Sequence, residues 1–146
     1  MSLAHNGAIM QEHWGSTIHW GRVVIGAVLS EAGVVAALSL VLVAHRFWIA
    51  PGRSPAEYQA FTDRASYYFA PTAAGVATFL AAFWAVRRFS SGYVVNGTLV
   101  GAVAVVLTLS FFFTAKPEHR LMYGVSFVLR IIGGYGGGLM ASVLSR

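Results

Sequence analysis

Residues 121–144, LMYGVSFVLRIIGGYGGGLMASVL, are long and apolar enough to cross a bilayer, yet they carry Arg130 near their middle. A charge at that depth is costly, so it needs a partner, a wet cavity or a route to the interface. The same stretch holds Gly133, Gly134, Gly136, Gly137 and Gly138 around Tyr135. Projected at about 100° per residue, Tyr123, Ser126, Gly134, Gly137 and Ala141 share a side with Arg130. Leu121, Val125, Val128, Ile132, Leu139 and Val143 cover the other side. One face is therefore expected to meet protein and the other lipid.

Three further apolar blocks precede it, at residues 23–44, 67–86 and 93–115. The chain is 57% hydrophobic and 10% charged, against about 25% charged in soluble domains. The expected fold is an all-α integral membrane protein, a four-helix transmembrane bundle. Residues 1–21 read as a polar tail and 22–146 as one four-span domain. No lysine or arginine precedes Arg22, and the first apolar run exceeds the roughly 7–15 residues of a signal core. It is expected to remain as a span. His-Trp-Gly recurs at 13–15 and 19–21, which suits Trp14 and Trp20 to the headgroup region. His13 and His19 are six apart and do not share a helical face, so no metal site is expected from them.

The longest loop, residues 47–66, contains Ser54-Pro55-Ala56-Glu57, the pattern of a capping box with proline at the first helical position. It predicts a short interfacial helix leading into the second span, which Pro71 should kink. Helix-packing stripes of small residues appear at Gly26, Ser30 and Gly33, continued by Ala37, and at Gly97 and Gly101. Gly133/Gly137 and Gly134/Gly138 form two overlapping pairs of the same kind. The short polar turn 116–120 makes the third and fourth spans antiparallel neighbours.

Glu31 lies mid-span on a different face from the Gly26 stripe. Glu31 and Arg130 each sit about nine residues, or about 13.5 Å, into antiparallel spans. In a hydrocarbon core of about 30 Å they come within reach of each other. An intramembrane ion pair is therefore expected.

The net charge of +5 comes from arginines beside the apolar blocks, which anchor and orient spans. No clustered basic face suggests nucleic acid. Arg22, Arg87, Arg88 and Arg146 fall on one side, and Arg46, Arg53, Arg64, Lys116 and Arg120 on the other, which leaves orientation undecided by charge. The long loop favours termini in the cytoplasm, with the chain multi-pass in the cell membrane. There is no cysteine, no recognisable nucleophile–base set and no metal-ligand spacing. His45 and His119 fall at span ends on one side as interface residues. The glycine cluster lacks the context of a nucleotide loop or a selectivity filter. No catalysis, cofactor or metal is expected. The partners are the lipid bilayer and a second copy or another membrane protein, docked through the small-residue faces. The alternative is a channel or transporter for a small solute, anion or protons, using Glu31 and Arg130.

Overall fold

The computed structural model describes residues 18–145, so Trp14 and His13 lie outside the described residues. Helix α1 spans Trp20–Ala44 and runs on through a π-helical turn, His45–Ile49. Helices α2 (Pro55–Val86), α3 (Tyr93–Thr114) and α4 (Pro117–Leu144) follow. Four helices are long and apolar enough to cross a membrane, and no strand occurs among the described residues. The chain is an all-α, multi-pass membrane protein with a four-helix bundle.

The first loop is shorter than its composition suggests. Ala50 N donates to His45 O at 2.9 Å, closing the wider turn that carries α1 beyond Ala44. The Tyr58 hydroxyl donates to Ala50 O at 2.9 Å and ties this turn to α2. Gly52 takes φ 76°, where other residues are strained. The capping box then starts α2: Glu57 N donates to Ser54 Oγ, and Ser54 N donates to Glu57 Oε2 at 2.9 Å. The interfacial helix expected in this loop is not a separate element but the first turns of α2. Nothing between Pro55 and Tyr67 interrupts the backbone ladder, and Gln59 Nε2 donates to Asp63 Oδ1 one turn on, at 2.9 Å. At about 1.5 Å per residue the 32 residues of α2 extend about 48 Å, well beyond a core of about 30 Å. Pro71 is buried inside this helix, which continues through it.

The four helices form a skewed square. Helix α4 packs most extensively on α2 and α3, and α1 packs mainly on α2. That leaves α1 and α4 across the longer diagonal. The core lies toward the end of the bundle where α1 begins and α4 ends: Val23, Ala82, Ala85, Val86, Phe89, Val100 and Ala141 form one cluster. No residue of α1 beyond Ser30, and none of α3 beyond Ala104, is buried. Toward the loop end the buried residues come from α2 and α4 instead, Ala65, Pro71, Ala73, Ala74 and Ser126. Asn96 helps close the core end, accepting from His19 N at 2.8 Å and donating to Gly92 O at 2.9 Å.

Candidate functional site: a membrane-embedded ion pair

Helix α4 reaches its neighbours by having no side chains where they touch. A Cβ on Gly133 would strike Gly75 O, and one on Gly137 would strike Phe79 O, both on α2. Gly134 and Gly138 face α3 instead, against Gly97 O and Tyr93 O. A Cβ on Gly97 would lie 2.6 Å from Gly134 O and 2.8 Å from Gly138 Cα. Gly101 abuts Arg130 O. The two small-residue pairs of α4 thus serve two different helices, and α4 is wedged between them. Its residues Leu121, Val125, Val128, Ile132, Leu139 and Val143 are exposed to the lipid side.

This close approach determines where Arg130 points. With its carbonyl against Gly101, its side chain is directed across the bundle toward α1. There Nη1 donates to Glu31 Oε1, and Nη2 donates to Glu31 Oε2 at 3.1 Å. The pair is bidentate, the arrangement that a planar guanidinium and a carboxylate form best. It bridges the long diagonal that the helices themselves leave open.

The direction of Glu31 is set by its neighbour. Ser30 Oγ lies 2.7 Å from Thr78 Oγ1 on α2, and both residues are buried. Thr78 Oγ1 donates its own hydrogen to Ala74 O at 2.7 Å, so Ser30 is the donor between the two hydroxyls. Pinning Ser30 to α2 turns the next residue by about 100°, toward α4. Gly26 and Gly33 extend the same face, a Cβ on each meeting Val100 at 3.1 Å and Ala77 at 3.2 Å respectively. Truncating the hydroxyl in Ser30→Ala should lower stability by about 0.5–1.5 kcal/mol. Chemical denaturation in detergent would measure it.

The two charges are not equally enclosed. The Arg130 side chain is 5% exposed and that of Glu31 26%. Arg130 Nε is buried and finds no acceptor. Ser126, one turn earlier on the same helix, is buried as well.

Of the residues singled out in the sequence, Glu31 and Arg130 meet, the glycines lie at helix contacts, and Pro71 stands apart in α2. Gly75 and Thr78 were missed. A signal for Thr78 was present, since Ala74, Thr78 and Ala82 form a small-residue row on α2 at four-residue spacing, whereas Gly75 is followed at that spacing by Phe79 and Phe83. The histidines remain separate: His45 stacks on Phe61 at 3.5 Å, while His119 meets the edge of Tyr67 at 5.5 Å. No group of three or more metal-binding side chains assembles among the described residues.

A second feature lies on the outer surface between α1 and α2. It is an apolar groove of about 550 Å³, with Gly33, Ala37, Ala73, Ala77 and Ala81 among its lining residues. Compared with known protein families, curated proteins and solved structures, the chain matches none.

Proposed function

We propose that this protein is a non-catalytic membrane component that docks a further transmembrane helix, from a second copy or from another membrane protein, into the groove between α1 and α2. The observation that carries this reading is the row of Gly33, Ala37, Ala73, Ala77 and Ala81 in the groove, flanked by Leu29, Phe69, Val76 and Leu80. Lipid tails gain nothing from glycine and alanine over leucine, whereas helices use such residues to bring their backbones close. Ser30 of the stripe meets Thr78 of α2, and Glu31 meets Arg130, so both of these faces of α1 are occupied within one chain. Gly33 closes on Ala77 of α2 at the floor of the groove, and Ala37 borders its open side.

Because the chain has no cysteine, Ala37→Cys and Ala77→Cys are clean crosslinking probes. In native membranes a thiol-reactive crosslinker should trap either a dimer or a complex with one defined membrane protein. Val76→Trp, at an exposed lining position, should abolish that product while leaving the monomer folded. Monomer alone, from both cysteine variants and by native mass spectrometry, would count against docking.

A further inference from the structure

A guanidinium has five N–H donors on three nitrogens. Glu31 engages Nη1 and Nη2 of Arg130 and leaves Nε, in a side chain 5% exposed, with no acceptor. A buried donor of a charged group is rarely left empty. The edge formed by Nε and an adjacent Nη is the shape that takes two oxygens of a planar oxyanion in parallel.

We propose that this edge binds a small monovalent oxyanion, and that the anion enters together with a proton taken up by Glu31. Charge balance carries the coupling. Carboxylate and guanidinium together are neutral, and an anion alone would leave a net negative charge at a depth where it is costly. When Glu31 is protonated as the anion arrives, the site is neutral again. A hydronium ion supplies the proton: one of its O–H bonds breaks, one O–H bond forms at the Glu31 carboxyl, water is left, and nothing is oxidised or reduced.

Access and electrostatics agree with this. The Glu31 side chain keeps about a quarter of its surface open, and in the loop-end half beyond it only α2 and α4, not α1 or α3, contribute buried residues. A Cβ on Gly124, at that end of α4, would meet nothing within 4 Å. The chain at that end carries Arg46, Arg53, Arg64, Lys116 and Arg120 against Glu57, Asp63 and Glu118, an excess of positive charge that draws anions. Within the spans, the other titratable groups are tyrosines: Tyr67 and Tyr68 at the loop end of α2, Tyr93 at the far end of α3, and Tyr123 and Tyr135 on α4. Arg130 is the only charged residue of those helices between the span ends, so Glu31 is the carboxyl placed to take the proton. Binding at this edge requires neither an occupant of the groove nor transport.

The test uses the full chain in detergent with nitrate, a planar oxyanion whose charge does not change with pH. In weakly buffered solution, saturating nitrate should draw about one proton per wild-type chain, and calorimetric affinity should fall about tenfold per unit rise in pH. Glu31→Gln should bind nitrate without proton uptake and without that pH dependence. Arg130→Gln should show neither. If Glu31→Gln does not fold, the double replacement Glu31→Leu/Arg130→Met supplies the baseline without a site. Wild type that takes up no more protons than the baseline, or binds nitrate equally at pH 6 and pH 8, overturns the proposal.

Discussion

Replacing Glu31 by glutamine is expected to destabilise the detergent-solubilised protein by roughly 3–5 kcal/mol, because it leaves the Arg130 guanidinium buried without a counter-charge. Arginine cannot escape by losing its proton. Arg130→Gln should cost less, since the carboxyl it strands is 26% exposed, against 5% for the guanidinium. The double variant Glu31→Gln/Arg130→Gln should lose clearly less than the sum of the two, which is the signature of direct coupling. Replacing both by apolar residues, Glu31→Leu/Arg130→Met, should come close to wild type in stability or exceed it, because no charge is then buried. Denaturation midpoints across this set measure the interaction. Additive losses would mean that the pair contributes nothing as a pair, whatever its geometry. The pair would then belong to the class of buried charges kept for something other than stability.

The second large effect separates glycines by what surrounds them. Gly97→Ala places a methyl group 2.6 Å from Gly134 O and 2.8 Å from Gly138 Cα. These are backbone atoms of α4 and cannot rotate away, so α3 and α4 must part. The expected loss is about 1–3 kcal/mol, the usual range for overpacking, and Gly137→Ala should behave alike against Phe79 O and Phe83 N. Gly124→Ala makes the same chemical change on α4 but meets nothing within 4 Å. There the higher helix propensity of alanine acts alone and should stabilise by up to about 1 kcal/mol. Opposite signs for Gly97→Ala and Gly124→Ala in thermal melts would establish that close helix approach, rather than glycine itself, holds the bundle. Equal shifts would rule that out.

Some of this site was legible from one dimension. The depth of Glu31 and Arg130 follows from residue counts and a fixed rise per residue, so their meeting could be foreseen before any packing was known. The two faces of α4 follow from its period, and the exposed Leu121, Val125 and Val128 lie where that period puts them. The start of α2 follows from local capping chemistry at Ser54 and Glu57.

The amino-acid sequence by itself determined that four helices cross the bilayer, that neighbours in the chain run antiparallel, and that two opposite charges lie at similar depth. These depend on hydrophobicity, length and spacing, which are local properties. Only the tertiary structure decided which helix faces which. It placed Gly133 and Gly137 against α2 but Gly134 and Gly138 against α3. It packed Gly26, Ser30 and Gly33 of α1 within the chain and left Ala37 beside a groove. It also left the Nε edge of Arg130 unfilled. The reason is that every helix in a membrane presents apolar side chains to apolar surroundings, so hydrophobicity cannot rank the neighbours. Interlocking of backbone with backbone does, and it depends on all four helices at once.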